Sequence, residues 1–464
     1  MLSNNLSTEE LQAMDAAHHL HPFTSRKEIN NAGARVLTRA EGVYVYDNDG
    51  KPFLDAMAGL WCVNIGYGRT ELADVAHRQM QQLPYYNTFF QCTHPPAVLL
   101  AARLAELAPG TINHAFFAGS GSEANDTNIR LVRHYWACQG KPEKSVIISR
   151  KNAYHGSAMG SGSLGGMKPM HAQGGLPIPG IVHIDQPYWY GEGGDQSAEE
   201  FGLERAKLLE AEIDRIGESN VAAFIAEPIQ GAGGVIIPPS TYWPEIMRIC
   251  KERDILFIAD EVITGFGRTG QWFASQTLAL EPDIITIAKG LSSGYLPIGA
   301  SLVSDAIVDV LTEKGGDFNH GYTYSAHPTA AAVALENLRI LDEEGIVTRV
   351  ADSIGPYLAE KWSTLNEHEL VGDARSIGLM GALELTPDKA SRAKFAGEGG
   401  YAGGICRNAC LDNQLVMRAV GDTMIISPPL VISEAEVDLL VERARTALDQ
   451  TLETLKREGK FKAA

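Results

Sequence analysis

The sequence lacks the features that mark secreted, membrane-spanning and nucleic-acid-binding proteins. Six cysteines in 464 residues are too few for a disulfide framework, so we expect reduced thiols. No run approaches the ~18 apolar residues of a membrane helix, and the N-terminus lacks the basic and then apolar pattern of a signal peptide. With 57 acidic against 39 basic residues the net charge is −18, which disfavours nucleic acid or an anionic membrane as a partner. These absences predict a soluble cytoplasmic protein.

Metal and dinucleotide sites are also poorly supported. Cys406 and Cys410 are close enough to share a helix face, but no second Cys or His pair accompanies them, so no metal site is predicted. The run GFGRTG (265–270) formally matches the G-x-G-x-x-G dinucleotide fingerprint. However, DEVIT separates it from the preceding strand, and the short segment that follows ends at Pro282. We therefore do not expect a dehydrogenase.

The chain is longer than one simple core, since domains usually hold roughly 100–200 residues. Residues 61–330 alternate helical segments with short apolar runs, which is typical of a parallel sheet with helices on both faces. Residues 1–60 contain a predicted β-meander, and residues 331–464 contain helices and two or three strands. We predict a large α/β domain over 61–330 and an α+β small domain from both chain ends. The candidate strands of the large domain are HAFFAG, SVIISR, IVHID, VAAFIAEPI, ILFIAD, DIITIAK and GASLV.

Two of these runs end in opposite charges. ILFIA is followed by Asp260 and Glu261, and DIITIA is followed by Lys289. Open α/β sheets hold their ligands beyond the carboxyl ends of their strands, so these charges indicate one shared site. From these residues alone, a salt bridge that caps the sheet is an equally good interpretation.

A third run is followed by a turn of small residues. The sequence GSGSE (119–123) follows HAFFA and begins an amphipathic helix. Free backbone N–H groups and the helix dipole make such a turn suitable for a phosphate group. The alternative is that Ser122 is an ordinary N-cap residue.

These features match the requirements of pyridoxal phosphate. That cofactor needs a lysine for a Schiff base, a carboxylate for its pyridine nitrogen, an anion cradle and a flat group against its ring. Lys289, Asp260, the turn 119–122 and the aromatic side chains of AYHG (153–156) could meet these needs. Desolvation at the end of a buried strand would also lower the pKa of the Lys289 amine and make it nucleophilic.

Nine stretches between residues 57 and 430 then carry a resemblance to a known family. They are MAGLWCVNIGYG, PYYNTFFQCTHPP, GSGSEAN, AYHGS, AEPIQGAGG, ADEVITGFGRTG, PDIITIAKGLSSGYLPIGA, HGYTYSAHP and MRAVGDTMIISPPL. The chain resembles the class III aminotransferases of the pyridoxal-phosphate fold-type I superfamily, in the ω-amine:pyruvate and polyamine:pyruvate subgroup. The resemblance implies a mostly parallel seven-stranded sheet between helices. It also implies a homodimer, or a dimer of dimers, with active sites at the subunit interface.

The resemblance further implies a role for individual residues. Lys289 would carry the cofactor covalently and shuttle a proton, and Asp260 would pair with the pyridine nitrogen. The substrate pocket would be formed by Trp61, Tyr154, Phe89 of the partner subunit, and Arg418, which would receive the carboxylate of the keto acid. The remaining implied cofactor contacts are Ser120, Gly121 and Ser122 at the phosphate, Tyr154 stacked on the ring, His155 beside it, Val262 against the ring, Glu227 near Asp260, and Thr323 of the partner subunit. One departure is Tyr322, where phenylalanine is expected.

The implied reaction moves an amino group from a terminal amine or diamine, such as putrescine or cadaverine, or from a small aryl-alkyl amine, to pyruvate. Its products would be an aldehyde or ketone and L-alanine. A β-alanine or taurine:pyruvate aminotransferase is an alternative on the same fold, and a mutase or decarboxylase with the same cofactor is a more remote one. A non-catalytic binding protein would not need a lysine at this position.

Overall fold

The computed structural model describes residues 6–397 and 399–461, which form three β-sheets and the helices around them. The strands are β1 (Leu37–Glu41), β2 (Tyr44–Asp47), β3 (Pro52–Asp55), β4 (Ile112–Ala118), β5 (Val146–Arg150), β6 (Ile181–Ile184), β7 (Val221–Ala226), β8 (Leu256–Asp260), β9 (Ile284–Ile287), β10 (Gly299–Ser304), β11 (Val371–Ile377), β12 (Met380–Leu385), β13 (Leu415–Val416), β14 (Arg418–Val420) and β15 (Thr423–Ile426).

The helices cover the sheets and connect their strands. They are α1 (Thr8–His18), α2 (Arg26–Ala32), α3 (Ala58–Trp61), α4 (Thr70–Gln82), α5 (Pro95–Leu107), α6 (Gly121–Cys138), α7 (Met159–Leu164), α8 (Lys168–His171), α9 (Trp189–Glu192), α10 (Ala198–Ile216), α11 (Tyr242–Glu252), α12 (Ala274–Thr277), α13 (Asp305–Val310), α14 (Pro328–Glu343), α15 (Ile346–Arg349), α16 (Gly355–Ser363), α17 (Tyr401–Asp412) and α18 (Glu434–Arg457). In the described part of the chain, no helix combines the length and the apolar character needed to cross a membrane.

The central sheet contains all seven strands predicted for it, in the order β4-β10-β9-β8-β7-β5-β6. Strands β6, β5, β7, β8 and β9 are parallel, whereas β10 runs antiparallel to both of its neighbours, β9 and β4. The expectation of a mostly parallel seven-stranded sheet is therefore confirmed. Because β4 is antiparallel to β10, it runs in the same direction as the five parallel strands. The carboxyl ends of these six strands therefore lie at one edge of the sheet.

Two apolar layers lie on the two faces of this sheet. In β8, Leu256 and Ile258 pack into a layer with Val132 of α6, whereas Phe257 and Ala259 pack into a second layer that includes residues of α10 and α11. Alternate side chains of a strand point to opposite faces. Burial on both faces explains why the run ILFIA is continuously apolar.

The two chain ends meet in a smaller sheet. The predicted meander is present as β1, β2 and β3, and β13 from the C-terminal part pairs parallel with β3. A separate antiparallel sheet has the order β11-β12-β15-β14. The pairing of β3 with β13 is consistent with a small domain drawn from both chain ends, whose boundaries at residues 60 and 330 stay a prediction.

Candidate active site

A cavity of about 380 Å³ opens at the carboxyl edge of the central sheet. Its wall is formed by residues that follow β4, β5, β7, β8 and β9, as expected for an open α/β sheet. Of the residues predicted to bind a cofactor, all but Thr323 line this cavity: Ser120, Gly121, Ser122, Tyr154, His155, Glu227, Asp260, Val262 and Lys289.

Asp260 lies at the end of β8 and points to the face of the sheet that α6 covers. This direction follows from the alternation of Leu256 and Ile258, which enter the apolar layer on that face. Oδ2 of Asp260 lies 2.7 Å from Nδ1 of His155 and accepts a 2.8 Å hydrogen bond from Nδ2 of Asn125. Oδ1 accepts the backbone N–H of Val262 at 3.1 Å. Three donors therefore stabilise the charged form of this buried carboxylate.

Glu227, immediately after β7, is a second buried carboxylate at the site. Its two oxygens accept the backbone N–H groups of Tyr154 at 3.1 Å and Gly231 at 2.9 Å. Burial raises the pKa of Glu227, and the nearby charge of Asp260 acts in the same direction. Through its contact with Tyr154, Glu227 fixes the backbone of the segment that carries the aromatic ring.

Lys289 follows β9 with a backbone φ of 41°, a conformation that non-glycine residues adopt rarely. Burial lowers the pKa of its amine, because desolvation disfavours the charged form. Among the described residues, the ring of His155 lies 2.7 Å from the carboxylate of Asp260, and Lys289 forms no ion pair with that carboxylate. The sheet-capping salt bridge is therefore absent, and both groups face the cavity.

The turn at the start of α6 forms another part of the wall. Oγ of Ser120 caps the helix by accepting the backbone N–H of Glu123 at 3.2 Å, so Ser120, rather than Ser122, is the N-cap residue. Oγ of Ser122 accepts the N–H of Ser157 at 3.1 Å, which ties the turn to the AYHG segment. A Cβ added at Gly121 would lie 2.9 Å from Cγ2 of Val262. The packing thus requires glycine here and leaves its backbone N–H at the helix N-terminus, where an anion binds well.

These groups fit pyridoxal phosphate in chemistry and arrangement. An amine with a lowered pKa, a buried carboxylate stabilised as the anion, and a helix N-terminus made of small residues share one cavity. Tyr154, half-buried in the same wall, offers a flat ring.

Of the residues predicted to contact the substrate, Tyr154 lines this cavity, whereas Trp61, Phe89 and Arg418 lie outside its lining. Trp61 is only 1% exposed and packs in an apolar cluster with Met57, Ile263 and Ile425. Arg418, at the start of β14, is half-buried, and burial lowers the pKa of its guanidinium. Within the described ranges it forms no ion pair, so it has no internal carboxylate to neutralise it.

Phe89 and Thr323 lie outside the cavity of their own chain. Phe89 lines a separate, wider cavity of about 1390 Å³ and packs against Gly321. Thr323 is exposed, and its carbonyl accepts a 2.7 Å hydrogen bond from the hydroxyl of Tyr85. Around them lies an exposed aromatic surface, comprising Tyr85, Tyr86, Phe90 and Tyr324. Neither Phe89 nor Thr323 therefore lines the candidate active-site cavity of its own chain.

Cys62, Asn125 and Phe23 are among the residues at the site that had no predicted role. Cys62 lines the cavity, and its position next to Trp61 in MAGLWCV is the sequence feature that could have indicated this. Asn125 belongs to the GSGSEAN stretch, but nothing in the sequence indicated that it reaches Asp260. The ring of Phe23 stands edge-on to that of Tyr154 with 6.5 Å between centroids, a contact across more than a hundred residues that no local pattern could indicate.

Comparison with known proteins is consistent with this geometry. The sequence pattern of the family Aminotransferase class-III matches residues 25–448. The putrescine–pyruvate aminotransferase of Pseudomonas aeruginosa is 60% identical over 447 residues, covering 96% of this chain and 97% of that protein. A chloroplastic gamma aminobutyrate transaminase of Solanum lycopersicum is 40% identical, covering 100% and 90% of the two chains.

Solved structures of ω-transaminases are also similar. The omega transaminase of Pseudomonas jessenii in complex with PMP has a TM-score of 0.94 at 41% identity, covering 96% of this chain and 99% of that chain. An (S)-enantioselective omega-transaminase from Thermomicrobium roseum has a TM-score of 0.92 at 45% identity, with coverage of 96% and 99%.

Proposed function

The chain belongs to the class III aminotransferases, and from that membership we propose that it transfers the amino group of a terminal amine or diamine to pyruvate. The products are an aldehyde or ketone and L-alanine. One observation carries this choice within the family: the putrescine–pyruvate aminotransferase is 60% identical across 96% of this chain, against 40% for the gamma aminobutyrate transaminase. Putrescine and cadaverine are the donors we expect first.

Pyridoxal 5′-phosphate supplies an electron sink for the carbon that bears the amino group. In our proposal, Nζ of Lys289 would hold the cofactor and would move the proton of that carbon, a role that its lowered pKa favours. The carboxylate of Asp260 would pair with the pyridine nitrogen of the cofactor. The helix N-terminus at Gly121 and Ser122 binds the phosphate.

Arg418 distinguishes the two half-reactions in this proposal. The amine donor has no carboxylate, whereas pyruvate has one, and both must use the same cavity. A guanidinium without an internal ion pair is available for a substrate carboxylate, and Arg is well suited to bind one through two hydrogen bonds. Trp61, which is buried and does not line the cavity of the isolated chain, and Phe89 of the partner subunit would then form the apolar side of the pocket.

The proposal includes a homodimer, or a dimer of dimers. It is supported by the exposed aromatic surface around Phe89 and by the position of Thr323 outside the cavity of its own chain. It also includes a cytoplasmic location, where pyruvate and the cofactor are both available.

The test is an initial-rate screen of amine donors with the purified enzyme loaded with pyridoxal phosphate. Putrescine, cadaverine, 1-phenylethylamine, β-alanine and taurine are each offered with pyruvate and, separately, with 2-oxoglutarate, and L-alanine is quantified. We expect the highest kcat/KM with a diamine and pyruvate. A preference for β-alanine or taurine would replace the proposed donor, and a preference for 2-oxoglutarate would replace the proposed acceptor.

A further inference from the structure

A chain of hydrogen bonds between buried polar side chains lies behind Asp260, on the side away from the cavity. Asn125 and Asn128 lie one turn apart on α6, and Thr286 lies on β9 directly opposite Asp260 in the register of β8 and β9. All three are fully buried. The predicted site residues include none of them.

The acceptors that face Asn125 determine which atom donates in each of these hydrogen bonds. Nδ2 of Asn125 lies 2.8 Å from Oδ2 of Asp260 and 2.8 Å from the carbonyl oxygen of His155, and a backbone carbonyl oxygen can only accept. The amide of Asn125 must therefore present its N–H groups to them and its oxygen to the other side.

The oxygen of Asn125 is in turn held by two donors. The hydroxyl of Thr286 donates to it at 2.8 Å, and Nδ2 of Asn128 lies 3.2 Å away. Nδ2 of Asn128 also donates to the hydroxyl oxygen of Thr286 at 2.8 Å. If the amide of Asn125 rotated by half a turn, its oxygen would face the carboxylate of Asp260, and its N–H groups would face the donors.

We propose that Asn125, held in one orientation by Thr286 and Asn128, is a positioning residue that holds the carboxylate of Asp260 in the direction needed to face the cofactor. A buried carboxylate beside a second one, Glu227, requires such donors because desolvation disfavours the charged form. The same three residues join α6, which carries the phosphate turn, to β9, which leads to Lys289 three residues beyond Thr286. The chain of hydrogen bonds thus connects three of the parts that hold the cofactor.

Thr286 provides the sharpest test because it does not line the cavity and its hydroxyl is linked to the Asp260 carboxylate only through Asn125. Thr286→Val removes the hydroxyl with almost no change of shape, whereas Thr286→Ser keeps it. Ser301→Ala is the matched control: Ser301 is a buried hydroxyl that donates to the carbonyl of Ala124 on the same helix but takes no part in this chain of hydrogen bonds. Asn125→Ala removes the contact with Asp260 directly.

Three quantities are measured on each variant: the Kd for pyridoxal phosphate, the pH dependence of the visible absorbance of the bound cofactor, and kcat and KM separately. A lost hydrogen bond to a charged group predicts that Asn125→Ala weakens cofactor binding by about tenfold or more. Thr286→Val should act in the same direction by about two- to fivefold, as expected for a neutral hydrogen bond. Both should shift the absorbance profile and lower kcat with little change in the KM for the amine. Thr286→Ser and Ser301→Ala should resemble the parent enzyme in all three.

The proposal fails if Thr286→Val and Thr286→Ser give the same cofactor Kd and absorbance profile, whatever their thermal stability. It also fails if Ser301→Ala reproduces the effects of Thr286→Val, since a general loss of packing on α6 would then explain both. The inference depends on the cofactor but not on the amine donor or on pyruvate, so a negative donor screen would leave it standing.

Discussion

Asp260 and Glu261 are adjacent in the sequence, but their carboxylates are held by separate sets of donors. Asp260 is held by His155 and Asn125 at the cavity, whereas Glu261 accepts hydrogen bonds from Thr264, from both N–H and hydroxyl of Ser275, and from the N–H of Ala274. Neighbouring residues of an extended segment point to opposite sides. One carboxylate is thereby available for chemistry, and the other stabilises the segment after β8.

This difference predicts opposite results for two conservative substitutions. Glu261→Gln replaces an acceptor of four hydrogen bonds with a group that can accept at only one of its two ends, and we expect it to cost about 2–3 kcal/mol in the free energy of unfolding. Asp260→Asn removes an acceptor of fewer hydrogen bonds, one of them from a ring that can change tautomer, so it should cost less in that free energy but reduce kcat by at least about a hundredfold. Urea unfolding and initial rates measure the two effects. Equal losses of stability would contradict the assignment.

Replacing Lys289 with methionine should stabilise the cofactor-free protein in a pH-dependent way. Burial lowers the pKa of Lys289, whereas a lysine of the unfolded chain has a pKa near about 10.4. Between the two values the folded protein binds fewer protons than the unfolded chain, so the penalty for burying Lys289 grows as the pH falls. Lys289→Met should therefore raise Tm by an amount that grows as the pH falls below about 10.4, and the gain should disappear above that pH.

Thermal unfolding of the cofactor-free protein at several pH values tests whether the gain in Tm grows as the pH falls. Lys207→Met, at an exposed lysine on α10, is the control. The same variants also test the catalytic role, because Lys289→Met should lose both transamination and the visible absorbance of the bound cofactor. Turnover by Lys289→Met would refute that role.

Arg418→Leu should affect one half-reaction much more than the other. We expect the KM for pyruvate to rise by about tenfold or more, as for the loss of a charge-assisted hydrogen-bonded pair. The KM for the amine should change by less than about twofold. Steady-state kinetics with each substrate varied in turn separates the two values. Arg407→Leu, at an exposed arginine on α17, controls for a general change in charge, and equal effects on both substrates would rule out the proposed role of Arg418.

Tyr322→Phe tests the one position where the sequence departs from the expected pattern. The hydroxyl of Tyr322 donates a 3.1 Å hydrogen bond to the carbonyl of Glu123, which also accepts from Thr127. Because that carbonyl keeps another partner, we expect a cost of only about 0.5–1 kcal/mol in unfolding free energy and no change in kcat beyond about twofold. A tenfold fall in kcat would show that the hydroxyl acts at the active site.

Phe90→Asp tests the proposed subunit interface. Phe90 is 91% exposed on the isolated chain, and it belongs to the aromatic surface beside Phe89. A charge in the centre of an apolar interface should dissociate the dimer and remove most of the activity, since Thr323 and Phe89 would no longer reach a partner's site. Light scattering after gel filtration gives the mass. Leu203→Asp, on the outer face of α10, should leave the mass unchanged.

Local patterns were sufficient to predict the parts of the site that follow buried strands. The run ILFIA before Asp260, and DIITIA before Lys289, each show where a strand ends, and the rule that ligands lie beyond such ends brings them together. The central sheet was predicted on the same grounds, because runs buried on both faces are continuously apolar.

Contacts between distant segments could not be predicted in this way. Asn125 looks like any polar residue in the first turns of an amphipathic helix, and Thr286 looks like an ordinary β-branched residue in a strand. Their roles depend on the pairing of β8 with β9 and on the packing of α6 against both. The contact of Phe23 with Tyr154 depends likewise on how the N-terminal segment crosses the molecule.

The position of β10 has a consequence for the order of folding. This strand lies between β4 and β9, but it follows both of them in the chain. The phosphate turn after β4 and the lysine after β9 therefore reach their final separation only when residues 299–304 have been synthesised and inserted. We therefore expect a nascent chain to bind the cofactor firmly only after that point. Pyridoxal phosphate is thus a ligand of the completed sheet, and at a concentration 100 times its Kd it would add about 2.7 kcal/mol to the stability of that state alone.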